Sequence, residues 1–230
     1  MDRKKKTKKK KKKTTKKKSL KKKLKQEKEV AGTKLQGIGE KIANDQISDH
    51  FPIREFTKRD FPKSPTLLEQ YLLNYIKKNL NIIREFIDSA IIITDCYRDL
   101  EKYNRLIEDG YNPSPTSDHF WGQPIPILRN RDQNKYGDYY TYSSGAVDFV
   151  VPKCDMKEVF NSIIELYKNN YIDIGQCILE NNPKTGSEWI HFSNPKNVIY
   201  NNKIINAIGL SKYMFLKSND NGKSYKAIEV

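Results

Sequence analysis

Two histidines and an aspartate are the residues of this chain whose types suit metal-dependent hydrolysis. The chain has three histidines in 230 residues, and two of them, His119 and His191, flank Asp148 in its second half. Two histidines and one carboxylate around an open fourth position are the ligand set of a hydrolytic zinc site, where the metal polarises a carbonyl and lowers the pKa of bound water to about 7. The three residues are too far apart for a local motif, so a separate structural role for each is the alternative.

The segments around Asp148 and His191 have the patterns of β-strands. His191 lies in G-S-E-W-I-H-F-S-N, whose alternation places Trp189 on the same strand face as His191 and Glu188 on the opposite face. Asp148 lies in the apolar run G-A-V-D-F-V-V. A carboxylate in such a strand needs a partner, because burying an unpaired charge is costly.

Hydrophobic periodicity and capping signals predict the elements that position these residues. The predicted order is a helix over 64–88, continuous or broken near 79–81, a strand over 90–95, a helix over 100–110, an irregular stretch over 111–142, a strand over 145–151, a helix over 155–167 and a hairpin over 171–194. The segments 213–217 and 224–228 have the pattern of a second hairpin. This order predicts an α+β fold with a small antiparallel sheet packed against helices.

The basic charge of the chain belongs to its first 28 residues. They contain 17 lysines and one arginine against two acidic residues, which leaves 25 basic and 26 acidic side chains in the remainder. We therefore expect a disordered tail and linker over 1–49. The tail has no aromatic residues to stack on bases, so it is expected to bind anionic polymers only non-specifically. A protein that only binds nucleic acid is disfavoured by the near-neutral remainder.

The cysteine positions and the hydropathy argue against a disulfide-bonded, a membrane-spanning or a secreted protein. Cys96, Cys154 and Cys177 are scattered and lack CxxC spacing, which argues against a disulfide framework or a cysteine zinc site. No apolar run is long enough to span a bilayer, and the lysine-rich start lacks the apolar region of a secretory signal. We expect a soluble protein without a signal peptide, located in the host cytoplasm or the virion if it is viral.

Four segments together resemble one enzyme family. They are I-I-T-D-C-Y-R-D at 92–99, S-P-T-S-D-H at 114–119, G-A-V-D at 145–148, and I-L-E at 178–180 followed by E-W-I-H-F-S at 188–193. In this order they are similar to the zinc D-Ala-D-Ala carboxypeptidase family, which includes D-Ala-D-Ala dipeptidases and phage L-alanyl-D-glutamate endopeptidases. F-T-K-R-D-F at 56–61 also resembles the start of the family's domain. The resemblance implies a hedgehog-type peptidase domain over 50–200, with 201–230 as a C-terminal extension.

The resemblance implies which residues hold the metal and the substrate. His119, Asp148 and His191 would hold Zn²⁺, and Arg98 would bind the substrate carbonyl oxygen or the developing oxyanion, a role that suits a permanently charged fork of donors. A salt bridge to Asp95 or Asp99 is the alternative role for Arg98.

The general base and the substrate contacts are also implied by the resemblance. Glu188 matches the base of part of the family, which deprotonates the attacking water and protonates the leaving amine. Glu180, in the facing arm of the hairpin, is the second candidate. Spacing favours Glu188, although strand alternation turns it away from the histidine, and either carboxylate could instead simply be solvated. Tyr97, Ser117 and Trp189 are expected to contact the substrate.

One departure from the family pattern affects substrate identity more than metal binding. The family usually keeps its first histidine and its aspartate within one short run, whereas here an insert over 123–144 separates them. The aromatic residues in and next to the insert suit a flap over the substrate groove, or equally the packing of that flap on the domain: Trp121, Tyr136, Tyr139, Tyr140 and Tyr142.

The function expected from these features is zinc-dependent hydrolysis of a peptide bond in a small peptide or in the peptide stem of peptidoglycan. The composition, rich in Lys, Asn and Ile, suggests a phage or another virus as the source. The alternative is a catalytically weak or inactive virion-associated or structural protein that retains the peptidase fold, with its tail bound to nucleic acid or an anionic partner.

Overall fold

The computed structural model describes residues 29–30, 32–110, 113, 117–121, 141–195, 197–200, 203–206, 215–220 and 224–229. The chain divides into two compact units, 1–46 and 47–230. The basic tail over 1–28 and the part of the insert before residue 141 lie outside the described residues.

The described part of the first unit contains a helix, α1, over 32–43. The sequence indicated a linker here, because the segment has little periodicity and contains three glycines, Gly32, Gly37 and Gly39, which lower helix propensity. Side-chain contacts one turn apart offset part of that cost: the Gln36 amide donates to Glu40 Oε1 at 3.1 Å.

The second unit has an α+β fold. Its helices are α2 (Ile53–Thr57), α3 (Leu67–Ile87), α4 (Leu100–Glu108), a 3-10 helix (Asp118–Phe120) and α5 (Met156–Lys168). Its strands are β1 (Ile92–Asp95), β2 (Thr141–Ser143), β3 (Ala146–Val150), β4 (Gln176–Asn182), β5 (Ser187–Ser193), β6 (Asn197–Tyr200), β7 (Lys203–Asn206), β8 (Phe215–Ser218) and β9 (Lys226–Ala227).

The main sheet is mixed and larger than the small antiparallel sheet that the sequence predicted. Its six strands are ordered β1-β3-β5-β4-β8-β9, and β2, β6 and β7 form a separate three-stranded sheet. Strand β8 pairs antiparallel with β9 but parallel with β4. A parallel neighbour needs a long connection, which here includes β6 and β7, and the local sequence pattern of β8 does not reveal such a partner.

Helix α3 is a single helix of 21 residues that starts with a capping box. The Thr66 hydroxyl accepts from Glu69 N, while the Glu69 carboxylate accepts from Thr66 N at 2.7 Å. The helix does not break at the two asparagines near its middle. Both are buried and make tertiary hydrogen bonds instead: Asn79 donates to the Asp173 carbonyl, and Asn81 accepts from His50 N.

The two faces of the main sheet have different roles. One face is apolar and fully buried, and it packs against α5, as the edge contact of Phe215 with Phe160 at 5.9 Å shows. Strand alternation places Val147, Phe149, Ile190 and Phe192 on this face. Asp148 and His191 fall between those residues in sequence, so their side chains point from the opposite face of the same two strands. We call this opposite face the polar face.

In the part of the chain that the structure describes, none of the helices combines the length and apolarity required to traverse a membrane.

Candidate metal centre

The three residues predicted as metal ligands converge at one point on the polar face. Asp148 and His191 are direct partners across β3 and β5, and the 3-10 helix brings His119 over them. The His119 Nε2 atom lies 3.2 Å from Asp148 Oδ1 and 3.2 Å from His191 Nδ1, and the last two atoms are 3.0 Å apart. The structure therefore contains a possible metal-binding triad.

The dimensions of this triangle fit a tetrahedral cation. Ligand atoms that bind Zn²⁺ at about 2.0–2.1 Å in a tetrahedron are separated from one another by about 3.3 Å. The separations of 3.0–3.2 Å in the triad are close to one face of such a tetrahedron. Two imidazole nitrogens and one carboxylate oxygen are also donors that zinc prefers, so the residues present fit this ion.

The hydrogen bond at the far side of His119 fixes the tautomer that metal binding requires. His119 Nδ1 lies 2.7 Å from the Cys96 carbonyl oxygen. A carbonyl can only accept, so Nδ1 carries the proton and the neutral ring has its lone pair on Nε2, directed at the triad. The same carbonyl accepts from Trp121 Nε1 at 2.9 Å. The backbone at Cys96 thus orients the His119 ring from outside the triad.

Electrostatics within the triad favour an ionised aspartate. Burial opposes ionisation of Asp148, but the neighbouring imidazoles of His119 and His191 outweigh burial and hold the pKa of this carboxyl well below its usual range. Burial alone would lower the pKa of His191, yet its hydrogen bond to Asp148 and the aspartate charge raise it. The contact between His191 and Asp148 therefore favours a protonated imidazole beside an ionised carboxylate.

Trp121 anchors the 3-10 helix rather than belonging to a flap. Its side chain is 1% exposed, and its ring packs edge-on against Phe61 with centroids 4.9 Å apart. A Cβ at Gly145 would lie 2.7 Å from the indole ring, so only glycine fits beneath it. The small residue at the start of the G-A-V-D segment is thus required by the packing that positions His119.

Arg98 lies beside the triad and is largely buried. Its backbone N–H donates to the His119 carbonyl at 2.9 Å, which ties the two segments together. The guanidinium donates to Ser117 Oγ at 3.2 Å and to Asp95 Oδ2 at 3.4 Å, and Nε has no partner among the described residues. The contact with Asp95, expected as the alternative role of Arg98, is therefore present, and the buried Nε–H remains without a partner among the described residues.

The two candidate bases lie on opposite faces of the hairpin. Glu188 pairs with Asn181, is exposed, and has its carboxylate 3.3 Å from the Asn181 amide. Glu180 pairs with Trp189 one row from His191, so it shares the polar face with the triad. Burial raises the pKa of Glu180 to about 7. The structure thus brings Glu180 to the site and leaves Glu188, the candidate favoured by spacing, on the other side of the sheet.

The three residues expected to contact a substrate have different positions. Trp189 is half-buried on the polar face. Ser117 is engaged by Arg98 and caps the 3-10 helix by accepting from His119 N. The Tyr97 hydroxyl donates to Glu69 Oε1 at 2.7 Å. Its phenol therefore contacts the first turn of α3 and not the triad.

Tyr225 is a polar-face residue that sequence reasoning did not identify. Half of its surface is exposed, and burial of the remainder, together with the charges of Glu180 and Asp148, raises its pKa to about 12. It directly precedes β9, which joins the sheet beyond β8. Nothing in the local sequence signals this proximity, because it depends on the parallel pairing of β8 with β4.

No protein-family model, curated protein or solved structure matches this chain.

Proposed function

We propose that this protein is a zinc-dependent peptidase that hydrolyses a peptide bond in a small peptide or in the peptide stem of peptidoglycan. The observation that carries the proposal is the triangle of His119 Nε2, Asp148 Oδ1 and His191 Nδ1, with separations of 3.0–3.2 Å. Zn²⁺ held by these residues would supply a Lewis acid for the scissile carbonyl and for the attacking water.

Glu180 is the proposed general base. Its pKa of about 7 lets the carboxylate accept a proton from water near neutral pH and return it to the leaving amine, because a base is most effective when its pKa lies near the working pH. Its place on the face that carries His191 supports this choice over Glu188. The proposed base, Glu180, thus lies in β4, and the proposed metal ligand, His191, lies in β5 of the same hairpin.

Arg98 is proposed to bind the carbonyl oxygen and to stabilise the negative charge that develops on it. The guanidinium is 11% exposed, so solvent screens its charge only weakly. Ser117 and Asp95 fix its orientation from outside the site. A fixed donor costs no reorganisation when the oxyanion forms.

The class of substrate rests on the resemblance of four segments to the zinc D-Ala-D-Ala carboxypeptidases, and we propose a hedgehog-type peptidase fold on the same basis. The arrangement of β3, the β4–β5 hairpin and the 3-10 helix around one polar face supports that assignment. The basic tail is proposed to bind anionic polymers without sequence preference.

The test is metal content followed by turnover. Protein purified without chelators should contain about one zinc per chain, and His191→Ala should lose it. The loaded protein should then cleave a D-Ala-D-Ala dipeptide, an L-Ala-D-Glu peptide or isolated muropeptides, and Glu180→Gln should reduce kcat by about 10²–10⁴-fold. Absence of stoichiometric metal, with His119→Ala indistinguishable from wild type, would refute the peptidase proposal.

A metal-binding protein without catalysis is the second candidate. The observation that favours it is the position of Glu188, where the family-like spacing is retained but the carboxylate faces away from the triad. A zinc-loaded protein that cleaves none of these substrates would support this second candidate, in which the protein has a structural role in a virion.

A further inference from the structure

A partly buried lysine on α4, Lys102, binds the corner of the chain at 95–98, which carries Arg98. Lys102 Nζ lies 2.7 Å from Asp95 Oδ1, 2.8 Å from Asp60 Oδ2 and 3.0 Å from the Tyr97 carbonyl oxygen. An ammonium group has three protons, so all of its donors are used. The side chain is 19% exposed, and its pKa is raised because its hydrogen bonds to Asp60 and Asp95 outweigh the effect of burial.

The Asp95 carboxylate, which Lys102 binds, also accepts hydrogen bonds from two neighbouring groups. Its Oδ1 atom accepts from Cys96 N at 3.0 Å, and its Oδ2 atom accepts from the Arg98 guanidinium at 3.4 Å. A register shift between Ile93 and Asp95 places Asp95 opposite Asp148 across β1 and β3.

Cys96 connects the ion pair to the triad through a single residue of backbone. Its N–H is held by Asp95, and its carbonyl oxygen accepts from His119 Nδ1 at 2.7 Å and from Trp121 Nε1. Movement of the Asp95 carboxylate would therefore shift the carbonyl that selects the tautomer of His119.

We propose that Lys102 and Asp95 are positioning residues for the metal centre: they hold the 95–98 corner so that the Cys96 carbonyl directs His119 Nε2 into the triad and the Arg98 guanidinium faces the same site. The part that concerns Arg98 rests on the proposed peptidase function, whereas the part that concerns His119 does not. A purely structural ion pair would add stability but would leave the tautomer of His119 and the metal affinity unchanged.

The test compares Lys102→Met with Lys102→Arg and Lys58→Met in the full-length chain. Arginine keeps a positive charge that can reach Asp95, and Lys58 forms an exposed ion pair with Glu55 at 3.1 Å, which makes it the matched control. Histidine side-chain ¹⁵N NMR of the metal-free protein reports the tautomer of His119 directly. Competition with a chromophoric chelator reports Zn²⁺ affinity, and thermal unfolding shows that each variant is folded.

In Lys102→Met, we expect His119 to lose its single Nδ1–H tautomer and Zn²⁺ affinity to fall by about tenfold, the lower end of the usual effect of an outer-shell partner. Lys102→Arg should recover most of the affinity, and Lys58→Met should match wild type. A folded Lys102→Met protein with the wild-type tautomer and an affinity within twofold of wild type would overturn the proposal. If wild type binds no zinc, the proposed function fails, while the NMR comparison still decides the role of Lys102.

Discussion

Replacing Glu180 by glutamine is expected to stabilise the metal-free protein above neutral pH and to remove the proposed peptidase activity. Burial raises the pKa of Glu180 from 4.5 to about 7. The neutral carboxyl therefore keeps its full contribution to stability below about pH 4.5, and this contribution is lost as the pH rises through about 7. At about 1.4 kcal/mol per pH unit, the complete loss amounts to about 3 kcal/mol.

The measurable gain should be smaller than this limit. Glu180 is half-buried, so solvent screens part of the charge, and the glutamine amide also loses hydration on folding. We expect the free energy of unfolding of Glu180→Gln to exceed that of wild type by about 1–2 kcal/mol at pH 8, and by less than about 0.5 kcal/mol at pH 5. Urea unfolding of both proteins with chelator present, at several pH values between 5 and 8, measures the difference by linear extrapolation.

The matched control for this prediction is Glu188→Gln in the other arm of the same hairpin. Its carboxylate is exposed on the opposite face, so the substitution should change the free energy of unfolding by less than about 0.5 kcal/mol at every pH. It should also leave kcat within a few-fold of wild type. A Glu180→Gln protein that is destabilised at pH 8, or whose difference from wild type does not vary with pH, would refute the reasoning about burial. Loss of activity in Glu188→Gln alone would assign the base to the other face.

Three further predictions follow from the site, from its packing and from the tail. Zn²⁺ bound at the proposed site would compete with the proton that Asp148 favours on His191 by raising its pKa, so calorimetry at pH 6–8 should show proton release and an affinity that rises with pH; a pH-independent affinity would contradict the ion pair with Asp148. Gly145→Ala should cost about 1–3 kcal/mol of stability by displacing Trp121, as measured by denaturant unfolding, whereas Gly37→Ala meets open space in α1 and should stabilise by up to about 1 kcal/mol; equal effects would exclude the packing argument. Deletion of residues 1–28 should abolish salt-sensitive DNA binding in a filter or anisotropy assay and preserve hydrolysis, and residual DNA affinity would place the basic surface elsewhere.

Local patterns were sufficient to predict the two strands that carry Asp148 and His191, whereas the 3-10 helix that carries His119 lies in a stretch predicted to be irregular. Alternation in G-S-E-W-I-H-F-S-N correctly separates Glu188 from His191, and the carboxylate in G-A-V-D-F-V-V has the partners that its burial requires. The capping residues near the start of α3 predict its first turn to within two residues, since the cap is Thr66 rather than Ser64. These features depend on residues that are close together in the chain, so the local sequence is enough to predict them.

Features that depend on distant pairing could not be predicted in the same way. The register shift that sets Asp95 opposite Asp148 leaves no local signal, and neither does the parallel contact of β8 with β4. The contacts of Lys102 with Asp60 and Asp95 join three separate elements, and each residue alone resembles an ordinary surface charge. Tyr225 reaches the polar face only because β8 and β9 extend the main sheet.

The turn between β4 and β5 determines which glutamate faces the triad. The last pair before the turn is Asn182 with Ser187, and Asn182 O accepts from Gly186 N at 2.8 Å, which fixes a four-residue connection. This register aligns Ile178 with His191, and therefore turns Glu180 to the polar face. If the same sequence paired across a connection one residue shorter, the register of β5 against β4 would shift by one residue. Because side chains alternate with a period of two, Glu180 and His191 would then lie on opposite faces of the sheet. The length of the turn, rather than the spacing within β5, thus places Glu180 on the same face as His191.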